Sequence, residues 1–179
     1  MAKNYIAQCI TPKVASEHIT KVTAPAGGLV PGQIVVADTL DNMIAGNIEV
    51  YSASAITAEN LGSKLMAIVV NDGFETLGDG RRPAGQPNYY QYTFAAGETA
   101  TAIFLDRHLV FNLGAEAISG DAPTVGQFLY PTANSTQLTA GATVPAGTGC
   151  SLKVLATYNT PVGGQYGGSF ATSFICVAQ

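Results

Sequence analysis

Short apolar runs, separated by glycine, proline and asparagine, alternate with polar positions along most of the chain. The clearest stretch is residues 121–158, where alternation with a period of two predicts strands at 125–131 and 151–158. A turn, a short return strand and an open loop should connect them. We expect Phe128 and Leu155 to be core positions of these two strands.

The same pattern predicts a chain that is almost entirely β-structure. Apolar or alternating runs predict further strands at 33–37, 44–51, 64–70, 89–94, 101–105, 109–112 and 169–177. The last run contains no breaker, so it should be central in its sheet. Residues 57–62 predict one helical turn, with Thr57 as N-cap and Gly62 as its end. The expected fold is a small all-β barrel or sandwich-like domain with long Gly/Pro loops, an extended N-terminal arm and little helix.

The chain divides into two parts by pattern. Residues 1–25 form an N-terminal arm with a first strand, and residues 26–179 form a single β domain. Within that domain residues 30–70 echo residues 124–158, because each segment starts with Gly-Gln before an apolar strand and reaches a second apolar strand later. An apolar, non-helical arm can add to a partner's sheet or lie in its groove. The alternative is a plain edge strand of the same domain.

Charge is scarce, and its scarcity narrows the classes of partner. Of 179 residues, 11% are charged, against about 25% in a typical globular protein. The net charge is −4 and the basic residues are spread out, so the chain lacks the basic stripe expected for nucleic acid or an anionic membrane. The N-terminus lacks the apolar core of a signal peptide, and we expect use without export. Because the surface carries so few charges, we expect other subunits or partner proteins to cover part of it.

Reactive groups do not form a recognisable catalytic or metal pattern. Cys9, Cys150 and Cys176 are too widely spaced for a zinc site or a disulfide framework, which favours buried or idle thiols. Alternatively, Cys9 could form a bond to a neighbouring subunit in an oxidising medium. Asp106 and His108 share one face of an extended segment, but no nucleophile motif accompanies them. We therefore predict no catalytic residue, no cofactor and no metal.

Two segments are predicted to contact a partner. Tyr5, Ile6 and Ile10 make the N-terminal arm apolar. Arg81 and Arg82 are the only adjacent basic residues, and they lie in the longest stretch without a strand pattern. Long loops of this kind are often functional, and the arginine pair could reach acidic groups on a partner. The alternative is a mobile surface excursion.

The pattern resembles one known family. A Gly-Gln strand, a turn, a Leu-Thr return, an Ala-Thr-Pro loop and a Lys-Val-Leu strand resemble the head decoration, or cement, proteins of tailed bacteriophages. The residues that carry this resemblance are Val125-Gly-Gln-Phe-Leu-Tyr-Pro131, Gln137-Leu-Thr139, Gly141-Ala-Thr-Val-Pro145 and Leu152-Lys-Val-Leu155. It covers the last third of the chain well and the rest loosely.

The resemblance implies a virion structural protein, made in the bacterial host cytoplasm and located on the outer face of the capsid. It implies binding to the major capsid protein, assembly as a homo-oligomer with a trimer favoured, and stabilisation of the shell without catalysis. Two alternatives stay open. The first is a receptor-binding or fibre-type adhesive module, in which Tyr89, Tyr90 and Tyr92 would bind a glycan or a surface protein. The second is a hydrolase that uses Asp106 and His108.

Overall fold

The computed structural model describes residues 3–12, 14–44, 48–63, 65–71, 89–162 and 170–179. Over these residues the chain is nearly all β, as the pattern predicted, with three short 3-10 turns at Ser16–His18, Tyr89–Gln91 and Ala115–Ala117. The strands are β1 (Ala7–Cys9), β2 (Ile19–Thr23), β3 (Ile34–Ile44), β4 (Ile48–Ser54), β5 (Met66–Val69), β6 (Thr99–Phe104), β7 (Val110–Gly114), β8 (Ile118–Ser119), β9 (Phe128–Pro131), β10 (Leu138–Gly141), β11 (Leu152–Pro161) and β12 (Phe170–Ala178).

The strands form two sheets. Five of them close into a barrel in the order β2-β4-β3-β5-β6, in which only the β2–β4 pair is parallel. The other seven form an open sheet in the order β1-β7-β12-β11-β9-β10-β8. Strand β12 lies between β7 and β11, so its predicted central place is confirmed. Strand β1 is the edge strand of the open sheet and pairs with β7. The two strands are about 100 residues apart in the sequence.

Strand β5 and residues 34–37 of β3 connect the two sheets, because both faces of these segments are buried. Ile34 and Ile68 point into the core shared with the open sheet. Val35 and Ala67 point the other way, into the barrel. Strands buried on both faces are apolar throughout rather than alternating. This explains the continuous apolar runs in the sequence.

The shared core is built from large side chains of both sheets, whereas the barrel interior is built mainly from small ones. Phe111, Phe174 and Leu152 of the open sheet are buried against β3 and β5. The barrel interior includes six alanines: Ala24, Ala37, Ala53, Ala67, Ala100 and Ala102. Small side chains fit the narrow space inside five closed strands.

The two echoed segments form the same turn. In residues 30–33 and in residues 124–127 the glycine has a φ of 93°. The glutamine Oε1 accepts a hydrogen bond from the first N–H of the turn, at 3.0 Å in the first segment and 2.8 Å in the second. In both, the glycine N–H and the glutamine C=O bond to one residue of a neighbouring segment. Residues 95–98 form a third such turn, with Glu98 in the place of the glutamine.

Two predictions about individual strands are wrong. Leu155 is 47% exposed, because it lies on the face of β11 opposite the buried Leu152 and Val154, and Leu129 is the buried neighbour of Phe128 on β9. Phe128 is half-buried, with the Lys153 ammonium 5.9 Å from its ring centre. The core face of both strands is therefore the opposite one.

The predicted aromatic strand at 89–94 does not form. Tyr89–Gln91 is a 3-10 turn, and Phe94 makes only an isolated bridge with Leu29. Tyr92 and Phe94 are in edge-to-face contact with ring centres 5.1 Å apart. Local β-propensity was overridden here by tertiary packing.

Candidate interaction surface

The N-terminal segment belongs to the chain's own sheet. Ile6 is 1% exposed, and its carbonyl accepts a hydrogen bond from the Gly114 N–H at 2.8 Å. The alternative of an edge strand of the same domain is thus the arrangement found. Ile6 is not available to a partner in this arrangement. Tyr5 is half-buried and Ile10 is 46% exposed, so these two retain accessible surface.

Asn71 holds this segment from its outer side. Its Oδ1 accepts a hydrogen bond from the Ala7 N–H at 2.7 Å, and its Nδ2 donates to the Tyr5 carbonyl at 2.9 Å. The Tyr5 N–H in turn donates to the Tyr90 carbonyl at 2.6 Å. The outward backbone groups of Tyr5 and Ala7 are satisfied by Asn71 and this carbonyl. Nothing in the sequence pattern predicted this role for an asparagine at the end of a strand.

The predicted contact pair Arg81 and Arg82 lies outside the described residues. The tyrosines of the adhesive alternative are also arranged differently from the expectation, because Tyr90 is hydrogen-bonded to the N-terminal segment. Its hydroxyl accepts a hydrogen bond from Gln8 Nε2 at 3.2 Å, and Tyr92 contacts Glu98 through a 3.3 Å hydrogen bond. These two rings do not form one exposed face on a strand.

The residues considered for catalysis are arranged differently from the sequence expectation. Asp106 Oδ2 lies 3.6 Å from His18 Nε2, at a cleft of about 440 Å³ that is also lined by Arg107. His108 has a φ of 72° and is held by a backbone hydrogen bond to the Ala178 carbonyl. The carboxylate of Asp106 therefore contacts His18, which is not the histidine that the sequence pattern placed beside it. In sequence His18 and Asp106 are too far apart for this contact to be foreseen.

Two of the three thiols are buried in the shared core. Burial raises the pKa of both Cys150 and Cys176 to about 12, so both stay protonated near neutral pH. Cys9 is half-buried on β1. Among the described residues, no group of three or more His, Cys, Asp or Glu could hold a metal ion. The same part of the chain contains no helix that is long and apolar enough to cross a membrane.

The hairpin of β11 and β12 extends beyond the rest of the open sheet. Its two strands pair over nine residue positions on each side, whereas β9 pairs with β11 only at Leu152 and Lys153. On the other side, the β7–β12 pairing ends at Ser173. Tyr158 and Phe170 on this hairpin are 52% and 63% exposed.

A buried polar network supports the base of the hairpin. Asn112 Nδ2 donates to Thr160 Oγ1 at 2.9 Å, and Thr160 Oγ1 lies 2.8 Å from Ser173 Oγ. Ser173 Oγ also donates to the Tyr158 carbonyl at 3.3 Å. All three side chains of the network are buried. The network ties β7 to both strands of the hairpin and fixes the direction in which the hairpin projects.

We compared the chain with known protein families, proteins and structures. No family model, no curated protein and no solved structure matches the chain.

Proposed function

We propose that this protein is a virion structural protein that binds the outer surface of a phage capsid and stabilises the shell. Its partner in this proposal is the major capsid protein, and the protein acts as a homo-oligomer. The proposal takes its family from the resemblance of residues 125–155 to head decoration proteins. No catalytic step is part of it.

The observation that carries the proposal is the combination of few charges with exposed large apolar side chains. Only 11% of the residues are charged. Among the residues that the structure describes, eight large apolar side chains are nevertheless exposed: Ile10, Ile19, Leu40, Leu65, Val125, Leu155, Tyr158 and Phe170. A surface of this kind favours close packing against other protein surfaces. A decoration protein needs such packing, because it bridges neighbouring subunits of a shell.

The architecture of the domain is consistent with a stabilising role. The barrel has no free edges, and its strand β5 and residues 34–37 of β3 are packed on both faces. A binding surface on a rigid scaffold loses little conformational entropy when it binds. One oligomer that contacts several capsid subunits would also gain affinity, because its later contacts are effectively intramolecular.

The test is co-sedimentation of the purified protein with expanded, undecorated phage heads. We expect saturable binding at a fixed ratio to the major capsid protein, and heads that then resist heat better. Ile10→Lys should weaken binding if the accessible end of β1 is a contact. Ala58→Lys is the matched control, because Ala58 is exposed in the turn after β4 and is not one of these apolar side chains.

Failure of the folded protein to bind heads would overturn the proposal. The adhesive module would then be the next hypothesis, and glycan-array binding would test it.

For the predicted arginine contact, the double variant Arg81→Ala with Arg82→Ala should reduce binding. Unchanged binding would remove the pair from the contact surface.

A further inference from the structure

The outer edge of β11 is open over its second half. On the side away from β12, the last hydrogen bonds of β11 join Val154 to Gly126 and Gln127 at 2.9 Å. From Ala156 to Pro161, β11 pairs only with β12. Of the strands that the structure describes, none lies on the other side of this segment. An open edge presents unpaired N–H and C=O groups and can accept another strand.

The β1 edge of the same sheet is covered at Tyr5 and Ala7. There, Asn71 and the Tyr90 carbonyl satisfy the outward backbone groups of Tyr5 and Ala7. The chain thus blocks strand addition at β1 but not at β11. The edge of β11 is therefore the one that is available for pairing.

The open edge also lacks the charges that commonly protect such edges. The sequence from Val154 to Gln179 contains no Asp, Glu, Lys, Arg or His. Monomeric proteins place lysine or other charges on exposed edges to prevent pairing. Here the exposed positions of the segment are Ala156, Thr157 and Asn159, with the half-exposed ring of Tyr158 among them. Apart from Pro161, which has no N–H to donate, the composition of this segment does not oppose an added strand.

We infer that residues 156–161 of β11 pair antiparallel with the same segment of a second copy of this chain. An antiparallel edge is self-complementary about a two-fold axis, so one segment supplies both halves of the contact. The net charge of −4 opposes the approach of two copies elsewhere, since every charged residue precedes Val154 in the sequence. Pairing through the charge-free hairpin keeps those charges apart. A charged partner would gain no ion pair at this edge.

This inference does not depend on binding to a capsid, because the isolated protein tests it. Sedimentation velocity over a concentration series should show a dimer. Thr157→Lys places a charge on the exposed edge and should weaken association by at least about tenfold. Thr143→Lys is the matched control, since Thr143 is exposed in the loop before β11 and should leave association unchanged.

Hydrogen–deuterium exchange locates the contact independently. In the wild type, the amide protons of residues 156–160 should become more protected as concentration rises, and in the Thr157→Lys variant they should not. A protein that stays monomeric, one that forms only trimers, or a dimer unaffected by Thr157→Lys would each overturn the inference. Head binding by a strictly monomeric protein would overturn it while leaving the proposed function standing.

Discussion

Asn71 bonds to both backbone groups of Ala7. Its side-chain Oδ1 accepts from the Ala7 N–H at 2.7 Å, and its own N–H donates to the Ala7 carbonyl at 2.8 Å. One residue at the end of β5 thereby does for β1 what a neighbouring strand would do. The N-terminal segment is a fixed part of the domain for this reason, and its removal would open the sheet edge.

We expect Asn71→Ala to lower the free energy of unfolding by about 1–3 kcal/mol, because the Ala7 N–H and the Tyr5 carbonyl lose partners. Chemical denaturation measures this change. Thr143→Ala, in an exposed loop, should stay within about 0.5 kcal/mol of the wild type. Equal stability of the two variants would show that water replaces the amide without cost.

Shortening the side chains of Ile6 and Ile10 to alanine should destabilise the domain by different amounts. Ile6→Ala should cost about 2–5 kcal/mol because the side chain is buried, whereas Ile10→Ala should cost less than about 1 kcal/mol. Deletion of residues 1–12 should therefore destabilise the domain, because it removes Ile6 from the core and β1 from the sheet. Thermal unfolding of the three proteins checks the order. A truncated protein as stable as wild type would mean that the arm is not part of the core.

Gly32 and Gly126 form a natural matched pair, since both have a φ of 93°. Gly126→Ala should cost about 1–2 kcal/mol, the strain of an L-residue at positive φ. Gly32→Ala should cost at least about 1 kcal/mol more, because its new Cβ would lie 2.8 Å from the Ala117 Cβ while position 126 is open. Urea unfolding of both variants gives the difference. Equal losses would show that the Ala117 segment moves aside freely.

The buried thiols should make stability fall in alkali. The pKa of Cys150 and of Cys176 is raised from 9.0 to about 12 by burial, so the unfolded chain releases these protons first. Their contribution is complete below pH 9.0 and is lost as the pH rises toward about 12. The free energy of unfolding should fall by up to about 1.4 kcal/mol per pH unit for each thiol in that window.

Denaturation at several alkaline pH values tests this slope. Cys176→Ala should remain less stable than wild type at neutral pH, but its stability should fall less steeply in the alkaline window. The pKa of Tyr92 is also raised, by burial first and then by the charge of Glu98. Because both proteins contain Tyr92, its contribution cancels when the pH slope of the variant is subtracted from that of the wild type. Identical slopes would contradict burial of the Cys176 thiol.

Much of the fold could be predicted because it depends on local pattern. The period-two alternation located most strands, and the breaker-free run at 169–177 correctly predicted a central strand. The Gly-Gln sequences in residues 30–70 and 124–158 form the same turn, which is built by one glycine and one glutamine. These features depend on a few adjacent residues, so they are visible in the sequence.

The errors have a common physical origin in packing between distant segments. Alternation shows that two faces differ but not which one meets the core, and so Leu155 was assigned to the wrong side of a strand that contains a bulge. The tyrosine run at 89–94 favours a strand locally but packs as a turn over the arm. The contact of His18 with Asp106 joins residues that only the fold brings together.

By itself, the sequence determined that this is a sparsely charged, all-β chain with buried or idle thiols, because composition and short-range periodicity decide those properties. Only the tertiary structure decided that β1 is held by Asn71, that Ile6 is in the core and that the edge of β11 is open. Those facts depend on which segments meet, and the shared core decides that through contacts between residues far apart in the chain.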